Sequence, residues 1–284
     1  MKKYLAAVCQ MDSQANKEEN LKKAESLIRE AARKGARIAV LPEMMNYMGE
    51  RYREQGETVP GRTSQFLCST AEKCGIWLAG GSFPVIPEGE RRPPAEQKPE
   101  NTMFLVSPEG RMVSRYSKVH MFDVDIENGV SYRESDMSTA GDQITVADTE
   151  LGKIGFAICY DIRFPEIFRL MALAGAEIIC IPASFTLESG KDHWEVLLRA
   201  RAIENGVYIL AANQTGRKTV MNTYGNSMII DPWGTVKARA GEREECIFAE
   251  IDLDYLASVR RQVPVLKNRR EDVYQLSAAI DSRK

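Results

Sequence analysis

Leu5-Ala6-Ala7-Val8-Cys9-Gln10 and, some thirty residues later, Arg37-Ile38-Ala39-Val40-Leu41-Pro42-Glu43 bracket the stretch that decides the fold of this 284-residue chain. The first run is a short apolar strand candidate and the second a buried strand that runs into Pro42-Glu43. Between them Leu21, Ala24, Leu27, Ile28 and Ala31 recur at helical spacing among charges. A helix is expected over 20–34, with Gly35 as its C-terminal stop. Strand, helix and strand in so short a span are the sign of a layered α/β domain.

The pattern recurs outward from there. Helices are expected over 64–74, 164–174 and 193–205, and strands over 76–80, 153–158, 177–181, 207–212 and 246–251. Residues 101–106 and 111–117 form a hairpin around Ser107-Pro108-Glu109-Gly110, which carries turn chemistry. A second turn, Asp231-Pro232-Trp233-Gly234, separates strands at 227–230 and 235–238. The stretch 88–100 is rich in Pro, Glu, Arg and Lys and reads as an exposed loop. With no internal repeat and no linker, one domain over 1–284 is expected.

Composition narrows the classes. Hydrophobic residues make up 44% and charged residues 27%, so a sizeable core is within reach. The net charge is -2 with signs mixed along the chain, which argues against a nucleic-acid partner. The apolar stretch after Met1-Lys2-Lys3-Tyr4 is too short for a signal peptide, and no run approaches the roughly 18 residues of a membrane span. A cytoplasmic protein without membrane contact is expected. The cysteines at 9, 68, 74, 159, 180 and 246 are scattered and form no CxxC pair, so no disulfide framework is expected. With His120 and His193 the only histidines, a Cys/His zinc site has no support, and no metal is expected.

Three reactive side chains sit where strand candidates end: Glu43 after Leu41-Pro42, Lys118 after Tyr116-Ser117, and Cys159 after Ala157-Ile158. Such ends are where α/β folds place catalytic groups. Singly, each has a plain structural reading: a loop carboxylate, a solvated edge charge, a small buried thiol. Together they fit one chemistry. A thiol needs a base to become a nucleophile, and a glutamate in a partly dry pocket can shuttle protons at neutral pH. A lysine facing the same carbonyl stabilises the oxyanion, with the backbone N–H of Tyr160 as a natural second donor.

Leu41-Pro42-Glu43, Tyr116-Ser117-Lys118-Val119-His120 and Gly155-Phe156-Ala157-Ile158-Cys159-Tyr160-Asp161-Ile162-Arg163-Phe164-Pro165-Glu166 together resemble the nitrilase (carbon–nitrogen hydrolase) superfamily and its Glu–Lys–Cys triad. The segment from His193 through Trp194-Glu195 to Asn205, the Asp231-Pro232-Trp233-Gly234 turn and the run from Val259-Arg260-Arg261 to Leu266 extend the likeness nearly end to end. Lys118 to Ile126 and Arg133-Glu134-Ser135 resemble the amidase branch that contains omega-amidase and deaminated glutathione amidase. The resemblance implies a four-layer α-β-β-α sandwich and a homodimer or larger homo-oligomer paired through a helix layer. It also implies that Glu134 is a second glutamate orienting Lys118 and the substrate. The implied reaction is hydrolysis of a small primary amide to acid and ammonia through a thioester, with no cofactor. Carbamoylase or nitrilase chemistry is the enzymatic alternative, and a pseudoenzyme interaction module the non-enzymatic one.

Softer candidates remain. Arg163 is placed to meet a substrate carboxylate or to pair with Asp161. Tyr47 and Phe185 follow strands and are candidates to line a pocket. His193 and Glu195 are expected to brace a helix start, and Arg199 and Arg201 to join structural ion pairs. Cys9 and Cys180 are expected to be buried, while Cys68, Cys74 and Cys246 show no partner signature.

Overall fold

Side chains alternate along β1 (Lys3–Gln10): Ala6 and Val8 enter one apolar core, Ala7 and Cys9 another. The same switch occurs in β2 (Ala36–Val40), where Ile38 and Val40 share the first core and Ala39 the second. A strand with apolar side chains on both faces must be covered on both, which is what a layered α/β arrangement does. The computed structural model describes residues 2–89, 96–125 and 131–278.

Four further strands join β1 and β2 in the first sheet: β3 (Trp77–Val85), β4 (Glu100–Val106), β5 (Met112–Ser117) and β16 (Glu245–Asp252). Their order across the sheet is β16-β1-β2-β3-β4-β5. β1, β2 and β3 are parallel and the flanking strands antiparallel. The second sheet comprises β8 (Val146–Thr149), β9 (Gly152–Phe156), β10 (Ile178–Ala183), β11 (Tyr208–Asn213), β14 (Met228–Ile230) and β15 (Val236–Arg239). It runs β15-β14-β11-β10-β9-β8, with β9, β10 and β11 parallel. The sheets face each other through one shared core.

α1 (Lys17–Arg33) and α2 (Arg62–Cys74) cover the outer face of the first sheet. α1 is capped by Asn16, whose side chain accepts from the Glu19 N–H, and it ends at Lys34 before Gly35 at φ +84°. Burying its Leu21, Leu27 and Ile28 stabilises the layer by about 1.5–3 kcal/mol each. α3 (Pro165–Leu173) and α4 (Leu187–Asn205) cover the second sheet. The result is an α-β-β-α sandwich. Among the described residues, no helix is long and apolar enough to cross a membrane.

Several boundaries differ from the sequence expectation. α4 starts at Leu187 rather than 193, because Thr186 caps it with its side chain and Gly190 lies against the Tyr224 ring. His193 and Glu195 therefore stand more than a turn inside the helix and do not brace its start. Arg199 and Arg201 do join ion pairs, with Glu195 and Glu204. The ribbons β6 (Asp123–Asp125) with β7 (Ser131–Arg133) and β12 (Thr215–Arg217) with β13 (Asn222–Tyr224) carry too little periodicity to read from sequence. A fifth helix, α5 (Leu253–Gln262), is capped by Asp252, which accepts from the Asp254 and Tyr255 N–H groups. Of the loop expected over 88–100, residues 90–95 lie outside the described residues, and Glu100 already belongs to β4.

Candidate active site

The chain leaves β2 through Leu41 and Pro42 and turns sharply: Met44 has φ +55°. That turn needs room in β3, which bulges between Ala79 and Ser82. Gly81 (φ +65°) permits it, since a Cβ there would lie 2.3 Å from the Pro42 carbonyl. The Met45 N–H donates to the Ser82 carbonyl and the Gln214 amide donates to the Glu43 carbonyl, at 3.0 and 2.9 Å. Glu43 is thereby held at the mouth of the sandwich with its side chain 2% exposed.

Lys118 follows β5 directly, and its N–H donates to the Asn101 carbonyl across the β4–β5 edge. Its Nζ donates to Glu43 Oε1 at 3.1 Å and to Glu134 Oε2 at 2.7 Å. Glu134 Oε2 also accepts from the Phe122 N–H at 2.7 Å. Asn101, fully buried, joins the two carboxylates: its Nδ2 donates to Glu43 Oε1 at 2.7 Å and reaches Glu134 Oε1 at 3.4 Å. One ammonium thus sits between two carboxylates in a dry cluster.

Cys159 stands three residues beyond the end of β9, in a 3-10 turn over Cys159–Arg163, with φ +46°. A non-glycine residue in the left-handed region is strained, and here the strain is held by Asp161. Its carboxylate, fully buried, accepts from the Ile158 N–H at 2.8 Å and the Tyr116 hydroxyl at 2.7 Å through Oδ2. Through Oδ1 it accepts from the His120 N–H at 3.1 Å and meets His120 Nδ1 at 2.7 Å. Tyr116 and His120 flank Lys118, so Asp161 ties the cysteine turn to the lysine segment. His120 in turn stacks on Phe164 at 3.6 Å. The Cys159 thiol comes within hydrogen-bonding reach of Glu43 and of the Ser184 backbone N–H.

The electrostatics follow from burial and these neighbours. Burial raises the Glu43 carboxyl above its ordinary range; Lys118 opposes the rise and Glu134 adds to it. Burial, reinforced by the Glu43 charge, pushes the Cys159 thiol well up. For Lys118, burial works to lower the value, but Glu134, Glu43 and Cys159 outweigh it and hold the ammonium charged. Thiol and carboxyl are therefore both displaced toward their protonated forms, and one proton can pass between them beside a fixed cation.

A cleft opens over this cluster. Glu43, Lys118, Glu134 and Cys159 form its floor; Tyr160, Arg163 and Phe185 stand on its wall with Met44, Phe122, Tyr132 and Met221. Tyr47 is buried but does not line the cleft, which corrects the sequence expectation: the turn at Met44 puts that methionine on the wall instead. A second correction concerns Arg163. Asp161 is engaged elsewhere, and Arg163 instead reaches His193 Nδ1 at 3.2 Å, with its guanidinium 5.7 and 5.1 Å from the Tyr160 and Phe185 ring centres. Among the described residues no group of His, Cys, Asp and Glu is placed to hold a metal. Sequence reading missed Asn101, Met44, Met221, Tyr132 and the Phe122 N–H; only the position of Asn101 at the head of a strand facing the Lys118 strand offered a signal.

Fold and site define a hydrolase of carbon–nitrogen bonds. Residues 5–261 match the carbon-nitrogen hydrolase family, and the chain belongs to it. It is 38% identical over 281 residues to the omega-amidase NIT2 of Danio rerio, covering 98% of this chain and 99% of that one. It is 42% identical over 274 residues to the deaminated glutathione amidase of Synechocystis, covering 95% and 99%. Saccharomyces cerevisiae Nit3, a member of branch 10 of the nitrilase superfamily, superposes with a TM-score of 0.84 at 32% identity, over 95% of this chain and 97% of that one.

Proposed function

We propose that this chain is an amidase that hydrolyses the terminal amide of a small, carboxylate-bearing molecule to the acid and ammonia. The observation that supports it most is the meeting of one thiol, one carboxylate and one ammonium from three distant strand ends on one cleft floor. In this reading Cys159 Sγ forms a bond to the amide carbonyl carbon while its proton passes to Glu43. Lys118 Nζ and the Tyr160 N–H hold the oxyanion. Collapse of the intermediate breaks the carbon–nitrogen bond as Glu43 returns the proton to the departing ammonia, leaving a thioester. Water then adds to the thioester with Glu43 as base, releasing the acid and restoring the thiol. Glu134 orients Lys118.

Arg163 supports a substrate bearing a carboxylate. Its guanidinium is on the cleft wall, braced between two rings, and makes no ion pair among the described residues. Both named relatives are amidases. We further infer one cytoplasmic domain that pairs with a second copy through the outer helices, a reading supported by the exposed Val196 and Ile203 of α4 and by Trp233. The test is a mass-spectrometric screen of small amides, carbamoyl compounds and nitriles. Ammonia release from carboxylate-bearing amides, with an acyl mass trapped on Cys159, is expected. Turnover of carbamoyl compounds or nitriles alone would replace this reading, and no adduct on Cys159 with any of them would end it.

A further inference from the structure

We propose that Asn101 is a positioning residue that sets the proton affinity and the working oxygen of Glu43. The inference rests on Glu43 being the base of the reaction above, and it goes beyond that reading because it concerns a group that contacts no reacting atom.

Asn101 is fully buried, and its Nδ2 donates to Glu43 Oε1 at 2.7 Å while reaching Glu134 Oε1 at 3.4 Å. Its Oδ1 is buried and has no partner among the described residues. An amide that leaves a buried oxygen unpaired does so at a cost, yet the flipped orientation would aim that oxygen at two carboxylates, which is worse. The two acceptors therefore fix the orientation. The backbone of Asn101 is fixed as well, since its carbonyl accepts the Lys118 N–H at 2.9 Å. One residue thus holds the lysine through its main chain and both glutamates through its side chain.

Two consequences follow for Glu43. Asn101 and Lys118 both donate to Oε1, so Oε2 is the oxygen that neither holds and the one available to take a proton. Donation to a carboxylate also favours its ionised form. The charged and titratable groups facing Glu43 are Lys118, Glu134 and Cys159, with the hydroxyls of Tyr52 and Tyr132 nearby. Of these, Lys118 lowers its proton affinity by charge and Glu134 raises it, while burial raises it further. Asn101 is the neutral donor that offsets burial without adding charge to the cluster.

The test compares N101A and the isosteric N101D with the parent, reading turnover against pH and, separately, the rate at which the small reagent methyl methanethiosulfonate modifies the Cys159 peptide against pH. In N101A, kcat is expected to fall roughly ten- to a hundredfold, the size of one lost hydrogen bond to a charged group, with KM little changed. The acid limb of both profiles should move to higher pH, because a carboxylate stripped of a donor holds its proton more tightly. N101D places a third carboxylate there and should move it further. A variant that folds, as judged by circular dichroism, and keeps the parent's pH profiles overturns the proposal, as does one that loses rate with no displacement of either limb. Should N101A not fold, N101D and N101S are judged by the same criterion. The thiol profile needs no amide, so a parent that turned over no amide would sink the proposed function while leaving this test decisive.

Discussion

Two buried clusters, one holding a pair of thiols and the other a single thiol among charges, differ in what surrounds the sulfur. On the outer face of the first sheet Cys9 and Cys246 lie opposite each other on β1 and β16, with their sulfurs 3.1 Å apart. Cys246 Sγ donates to the Leu27 carbonyl at 3.4 Å, which leaves Cys9 as the donor to Cys246. At the mouth of the sandwich Cys159 is also buried, but its neighbours are a carboxylate and an ammonium. The thiol value is raised in both places: at Cys9 by the hydrogen bond to Cys246 and by burial, at Cys159 by burial and by Glu43. Burial alone therefore does not set the proposed nucleophile apart from the other thiols. What differs is an acceptor for the proton and a cation to hold the charge that follows.

The largest effect is expected from the cysteines themselves. Cys159→Ala should lower ammonia release by a factor of about 10⁴ or more, with the fold intact by circular dichroism. Cys246→Ala should leave the rate within about twofold and lower stability by about 1 kcal/mol. Retained turnover in the first variant, or its loss in a folded second, would erase the distinction between the clusters. Next in size is Lys118→Met, which removes the cation and makes the site resemble a plain buried pocket. It leaves Glu43 and Glu134, 2% and 3% exposed, facing each other without a counter-charge. Activity should fall by roughly 10²–10³, and denaturant unfolding should show a loss of about 3–5 kcal/mol at neutral pH. Because protonating one carboxyl relieves the repulsion, that loss should shrink as the pH is lowered toward 5. A variant equally destabilised at both pH values would mean that packing, not charge, holds the cluster.

Much of the active cluster is legible in the chain itself. Strand ends announce Glu43, Lys118 and Cys159, because a polar residue closing an apolar run must leave the sheet at its rim. The alternation of Ala6 and Val8 against Ala7 and Cys9 resolves only once both faces are seen to be covered, since a fully apolar strand shows no period. Asp161, two residues before Arg163, invites an ion pair, but residues so spaced on a tight turn point different ways, and the carboxylate turns inward to backbone N–H groups. Asn101 gives only a positional signal, because an asparagine near the head of a strand is ordinary, and its two carboxylate partners arise only where β4 meets the chain ends after β2 and β7. The pairing of Cys9 with Cys246 depends on register between the first and last strands, 237 residues apart, and no local pattern encodes it.

The smallest expected effect tests the quiet side of the comparison. Cys9 titrates well above the ordinary 9.0 when folded, through its bond to Cys246 and its burial. Once the pH passes 9.0, the thiol ionises in the unfolded chain but stays protonated in the folded one. Cys9 thus favours folding fully below that pH, and the contribution drains away as pH rises toward the folded value. Tyr4, Tyr116, Cys159 and Cys180 are raised too and drain stability in the same direction, so the informative quantity is a difference between proteins. Cys9→Ala should be less stable than the parent at pH 7 by about 1 kcal/mol, for the packing it loses. Between pH 9 and 10.5 its stability should then fall less steeply, by up to about 1.4 kcal/mol per pH unit, so that the two unfolding curves converge. Parallel curves would show that Cys9 ionises in the folded protein as readily as in the unfolded one.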